Sequence, residues 1–337
     1  MSSKPKLLLA IEEDFYPTIF SPLDENRLHA LVSLINSKPP KRADKAFLAA
    51  HMPEAEIVIT SWDTSVLDAA ILDRAWRLRL VCHAAGTIRP VVSDALWERG
   101  VVVTSGSEAI AYGVAEFCLG LILTETKRVS WQATATRAGG WAQAAKDFGG
   151  AFEPYQQNIG IIGAGHIGRR LLQLLGNLTC QPLVYDPYLD AETIVQLGAR
   201  KVDTLEELFA TCRVVSLNAP TNESTREMLR GAHFAALRPG SLFINTAGSI
   251  QIHEEEFIAE LRKGRFVACV DRCNVEPCPL DHPYRTLPNV LLTPHIAGVM
   301  AENRFRIGTF VVEEIERFVQ GRPPRNGVTR EALARMA

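Results

Sequence analysis

Apolar positions along the chain fall into two rhythms. Short continuous apolar runs at 7–11, 57–60, 80–83 and 101–104 alternate with segments of helical spacing at 25–35, 65–76 and 91–98. Uninterrupted apolar strands separated by helices predict a parallel sheet covered on both faces. A long amphipathic helix is expected over 109–129, and a glycine-rich stretch of weak periodicity follows from Arg137 to Gly150. The alternation restarts at Asn158, with six further strands expected at 159–162, 182–185, 214–218, 242–245, 266–270 and 290–292. A last helix over 302–319 is closed by Gly321 and Pro323-Pro324. The pattern predicts an α/β protein with two doubly wound parallel-sheet domains, and the 337 residues suffice for two packed cores.

Charge narrows the partners. Lys plus Arg number 36 against 38 Asp plus Glu, a net charge of −2, so no basic excess exists to bind a nucleic-acid backbone or an anionic membrane. The apolar run that follows Lys4 and Lys6 is too short for a signal-peptide core, and the longest unbroken apolar stretch elsewhere, 117–123, is shorter than a bilayer span. A cytoplasmic protein is expected, with its seven cysteines reduced. Cys269, Cys273 and Cys278, with His282 nearby, lack the paired spacing of a zinc knuckle, and no metal site is expected.

The first chemical signal is Gly163-Ala164-Gly165-His166-Ile167-Gly168, set between an expected strand and an expected helix. Three glycines at this spacing allow a tight turn, close backbone approach to a pyrophosphate and tight helix–strand packing, with the phosphates at the helix N-terminus. Asp186 ends the next expected strand, at the distance where an acid accepts ribose hydroxyls. A carboxylate there repels a 2′-phosphate, which favours NAD over NADP.

The second signal is His295, directly beyond the expected strand 290–292, where open α/β sheets place their ligands. Glu276 lies past the strand that carries Asp271. A carboxylate hydrogen-bonded to an imidazole favours its protonated form, an acid suited to a carbonyl that is receiving a hydride. Spacing alone leaves open that His295 is a loop histidine beside an unrelated glutamate.

Taken with Val184-Tyr185-Asp186-Pro187, Val215 to Pro220, Asn245-Thr246-Ala247, Val275-Glu276-Pro277 and Leu291 to Gly298, the glycine motif resembles the D-isomer-specific 2-hydroxyacid dehydrogenase family. Ala85-Gly86 and the segments from Trp97 to Gly100 and at Val114-Ala115-Glu116 are similar to its N-terminal half. The resemblance implies two Rossmann-like domains, a flavodoxin-like catalytic domain from 1–108 and 300–337 and an NAD domain from 109–299, usually in a homodimer. By position it implies His295 as acid/base, Glu276 as its partner, Asp271 against the nicotinamide carboxamide, and Ala85, Gly86 and Thr87 as the substrate loop. It also implies that Asn218, Pro220, Thr246, Ala247, Gly248 and Gly298 line the cofactor.

One position departs. The family pattern reads Asn-Thr-Ala-Arg-Gly, whereas this chain reads Asn245-Thr246-Ala247-Gly248-Ser249, with Ile252, Glu254 and Phe257 keeping the register. The family's arginine binds the substrate carboxylate, a bidentate role that glycine cannot fill. Three readings stay open: another cation, Arg272 or Arg89, takes over; Gly248 enlarges the pocket for a bulkier or differently charged substrate that does not need the clamp; or hydride transfer is lost and the fold binds NAD as a regulatory or sensing protein.

Overall fold

The computed structural model describes residues 4–141 and 150–336 and divides into two compact units, Met1–Ile110 with Val299–Ala337, and Ala111–Gly298. Most of the glycine-rich stretch after Arg137 lies outside the described residues.

The first unit is built on five parallel strands: β1 (Lys6–Ala10), β2 (Ser33–Leu34), β3 (Ile57–Thr60), β4 (Leu80–His83) and β5 (Val102–Ser105), in the order β2-β1-β3-β4-β5. That is the flavodoxin-like order. Successive side chains leave opposite faces of a strand, so Leu7 and Leu9 pack with Ile57, Ile59 and the C-terminal helix residues Ile307, Val311 and Ile315. Leu8, Val58 and Val81 face the other way, onto Leu48, Met52, Leu72 and Leu96. Both faces being covered explains why these strands read as continuous apolar runs.

The second unit carries seven parallel strands: β6 (Asn158–Ile162), β7 (Gln181–Tyr185), β8 (Arg200–Lys201), β9 (Val214–Leu217), β10 (Leu242–Asn245), β11 (Val267–Val270) and β12 (Val290–Leu292). Their order is β12-β11-β10-β9-β6-β7-β8, so the winding reverses between β6 and β9. This is the Rossmann topology, whose ligands lie at the carboxyl ends beside that reversal. One face is sealed by Phe209, Phe234, Phe243, Phe257 and Phe266, with Phe234 and Phe243 edge-to-face at 5.1 Å.

Several expectations are corrected. The second unit has seven strands rather than six, because β8 is a two-residue edge pair, Arg200 and Lys201, with no apolar signal. β2 is likewise a two-residue edge strand, within what reads as the end of a helix; the helix itself is Pro22–Leu31, started by the Ser21 hydroxyl accepting from the Asp24 amide. The expected helix over 65–76 is the single turn Ala69–Leu72, and that over 91–98 is Asp94–Glu98. The long helix spans Ser107–Glu125 and is long and apolar enough, by length and composition, to cross a bilayer. Its Ala109, Val114, Ala115, Cys118 and Ile122 are buried in protein, although only about a third of the apolar stretch is buried in all.

Candidate functional site

The glycine motif leaves β6 and enters the helix His166–Leu175, and its three glycines answer to three different demands. Gly163 has φ +87°, and a Cβ there would meet the Ala219 backbone at 2.8 Å, where the chain leaves β9. At Gly168 a Cβ would lie 2.1 Å from the Gly163 carbonyl, so the helix rests directly on the turn. A Cβ on Gly165 would meet nothing within 4 Å, which leaves that side of the turn open to a phosphate at the helix N-terminus. His166, the first helical residue, is exposed; Ile167 is half-buried behind it.

Asp186 is tied to this turn. Its Oδ2 accepts from the Ala164 amide at 2.9 Å and its Oδ1 from the Tyr188 amide at 2.9 Å, which fixes the carboxylate beside the glycine turn. Across the reversal, the Asn218 side chain donates to the Ser216 carbonyl and hydroxyl, both at 3.1 Å, while its Oδ1 is buried and meets no partner among the described residues. An open helix N-terminus, an anchored carboxylate and an orphan acceptor at the same strand ends fit a dinucleotide.

Beyond β10, Thr246 is buried with its hydroxyl 3.4 Å from the Cys118 thiol, and Ala247 is half-buried. Gly248 is sealed. A Cβ there would lie 2.3 Å from Thr221 Oγ1 and 3.1 Å from Thr221 Cβ, and the same hydroxyl accepts from the Gly248 amide at 3.1 Å and from Gln251 Nε2 at 3.2 Å. Thr221 therefore fills the space from which a side chain at 248 would start. The sequence offers no sign of this, because the two residues meet only through the fold, 27 positions apart. The segment just beyond Pro220 carries this plug, and Pro220 itself is half-buried.

His295 stands in a loop organised by Asp271. The buried Asp271 carboxylate accepts from the Thr293 hydroxyl at 2.6 Å and the Ile296 and Ala297 amides at 2.9 Å each, while its carbonyl accepts from the His295 amide at 2.9 Å. These four bonds hold His295 at φ +54°, a left-handed conformation that costs about 1–3 kcal/mol for a non-glycine residue. Gly298 closes the loop; its carbonyl approaches so near the helix Ser107–Glu125 that a Cβ on Gly113 would meet it at 2.7 Å.

His295 Nδ1 meets Glu276 Oε2 at 2.8 Å. The other Glu276 oxygen, Oε1, accepts from Arg272 Nε at 3.2 Å. Partial burial works against ionisation of Glu276, but Arg272 first and His295 second outweigh it and hold the carboxyl below its ordinary pKa. One carboxylate thus serves both Arg272 and His295, and Nε2 of His295 is the ring nitrogen left to meet a substrate. Asp271, Glu276 and His295, expected together from sequence, are together. The part of Thr293 in the Asp271 anchor was not foreseen, although it lies within the quoted motif.

The substrate-loop candidates Ala85, Gly86 and Thr87 follow β4 in the first unit, where the Ser105 hydroxyl donates to the Gly86 carbonyl at 2.8 Å. Arg89, two residues on, spends its guanidinium on the Met336 carbonyl, at 3.2 and 2.7 Å, and on that of Leu333. The Cys269 thiol is buried in β11, and His282 stacks edge-on with Tyr284 at 4.4 Å.

Comparison with known proteins agrees with this geometry. Residues 119–297 match the D-isomer specific 2-hydroxyacid dehydrogenase NAD binding domain. The chain is 26% identical over 311 residues to a D-3-phosphoglycerate dehydrogenase of Methanocaldococcus jannaschii, covering 92% of this chain and 58% of that protein. A formate dehydrogenase of Chaetomium thermophilum is 30% identical over 285 residues, 81% of this chain and 76% of that one. Among solved structures, apo D-mandelate dehydrogenase of Rhodotorula graminis superposes with a TM-score of 0.82 at 25% identity, covering 97% of this chain and 98% of that one. The chain spans little more than half the length of the phosphoglycerate dehydrogenases that it matches. With the glycine turn, the Rossmann strand order and the anchored histidine loop in hand, the match places this chain in the D-isomer specific 2-hydroxyacid dehydrogenase family, with NAD as its cofactor.

Proposed function

We propose that the chain is an NAD-dependent oxidoreductase that interconverts a hydroxy and a keto compound, with His295 as its acid/base. The observation that carries this reading is the Glu276–His295 pair at 2.8 Å, held on a strained loop by Asp271. A strained backbone fixed by four hydrogen bonds is kept where a side chain must point one way. Gly163 and Gly168 shape the turn, Gly165 would let the pyrophosphate approach the helix N-terminus, and Asp186 would hold the ribose hydroxyls. Bound NAD supplies or takes up the hydride. His295 holds a proton at Nε2, delivers it to the carbonyl oxygen as the alcohol forms, and removes it from the alcohol in the reverse direction. Glu276 stays ionised and fixes the ring through Nδ1. The substrate loop at Ala85, Gly86 and Thr87 belongs to the same reading.

A second reading, an NAD-sensing protein with little turnover, is favoured by Gly248 and its Thr221 plug, which leave no cation at that position. A panel of 2-keto acids, 2-hydroxy acids and uncharged carbonyl compounds, followed by the absorbance of the reduced nicotinamide, separates the two. Turnover of any member that is lost in His295→Ala supports the oxidoreductase; NAD binding with no turnover favours the sensor or a substrate outside the panel. The working form in this reading is a cytoplasmic homodimer. Light scattering that returns the monomer mass at micromolar concentration contradicts it.

A further inference from the structure

Strands β10 and β11 pair in parallel with Asn245 opposite Val270, so the chain leaves both strands at the same level. The segment 246–249 therefore emerges beside 271–272. The Ser249 hydroxyl donates to the Arg272 carbonyl at 2.6 Å and ties the two together. Gly248 carries no cation and is closed by Thr221, whereas Arg272, one strand over, carries a guanidinium. Its Nε is engaged by Glu276 Oε1, and no partner meets its two terminal nitrogens among the described residues. The side chain is 37% exposed, and it shares its carboxylate with His295. Arg89, the other candidate, is consumed by the carbonyls of Leu333 and Met336.

We propose that Arg272 binds the carboxylate of the substrate, so that the anion-binding charge of this site stands at the end of β11 instead of β10. The inference rests on the oxidoreductase reading above. The paired terminal N–H groups of a guanidinium match the two oxygens of a carboxylate, a fit that a lysine ammonium lacks. The named relatives act on phosphoglycerate, formate and mandelate, all carboxylates. Arg272 also sits on the same Glu276 that orients His295, so the anion site and the proton donor share one carboxylate.

The test uses the full chain loaded with NADH and oxamate, an unreactive amide with the shape and charge of a 2-keto acid. Oxamate affinity is measured for the wild type, Arg272→Gln and Arg272→Lys, together with kcat and KM for a 2-keto acid and its uncharged methyl ester. Arg272→Gln is expected to weaken oxamate binding and raise KM for the acid by roughly ten- to hundredfold. KM for the ester and NADH affinity should stay within about twofold, with partial recovery in Arg272→Lys. The proposal falls if oxamate does not bind the wild type, or if Arg272→Gln leaves its affinity unchanged. A role confined to holding Glu276 would lower kcat for acid and ester alike without moving oxamate affinity, and that result also overturns it. If no substrate turns over but oxamate binding still requires Arg272, the anion site stands and the oxidoreductase reading fails by itself.

Discussion

At the scale of single residues, Gly248 and Thr221 make one unit. Restoring the family's residue alone with Gly248→Arg drives a Cβ into a β-branched side chain that is stiff at χ1 and held by two hydrogen bonds. The single variant should lose about 1–3 kcal/mol of stability by urea denaturation, and Thr221→Ala should recover part of it in the double variant. Equal stability of the single variant and the wild type would show that Thr221 moves aside freely. A second residue sets a pH dependence. His83, buried at the end of β4 just before the Ala85–Thr87 loop, has its pKa pushed down to about 4 by burial. The unfolded chain takes up this proton near pH 6.5 and the folded chain only near 4, so the stabilisation is complete above pH 6.5 and drains away as the pH falls. Between pH 7 and pH 5 the wild type should lose about 2 kcal/mol more than His83→Gln. Parallel losses in the two would place the pH dependence elsewhere. Asp186, Asp271 and His295 were legible in the sequence because each follows a strand end beside a motif, and Glu276 because it lies in one of the motifs that carry the family resemblance. Thr221 and the free end of Arg272 were not, since both depend on which strand ends lie side by side.

At the scale of elements, the turn between β6 and its helix separates folding from binding. Gly168→Ala places a methyl 2.1 Å from the Gly163 carbonyl and should destabilise the second unit and abolish NAD binding together. Gly165→Ala meets open space at an ordinary negative φ. It should leave the melting temperature unchanged while weakening NAD binding by about tenfold or more, since only the approach of the phosphates is obstructed. A thermal melt and a fluorescence titration of NADH on both variants check this; equal behaviour would refute the division of roles. The central strands were legible because burial on both faces leaves an unbroken apolar run. The edge strands β2 and β8 were not, because two residues of backbone pairing need no apolar side chain. Helix starts and ends shifted where a cap decided them, as at Ser21 and Asp68, whose side chains accept the amides of Asp24 and Ile71.

At the scale of the whole molecule, two parallel sheets of different winding order form two compact units. The reversal between β6 and β9 in the second unit gathers the glycine turn and Asp186, and the carboxyl ends of β10 to β12 carry Gly248, Asp271 and His295. The central claim is that bound NAD and His295 together perform a hydride and proton exchange. The direct measurement is the turnover of the best substrate of the panel by wild type and His295→Asn, with NADH affinity determined for both. The account predicts a fall in kcat of roughly 10²- to 10⁴-fold with NADH affinity unchanged. Turnover that survives the loss of His295, or a wild type that binds NADH and reduces nothing in the panel, would contradict it.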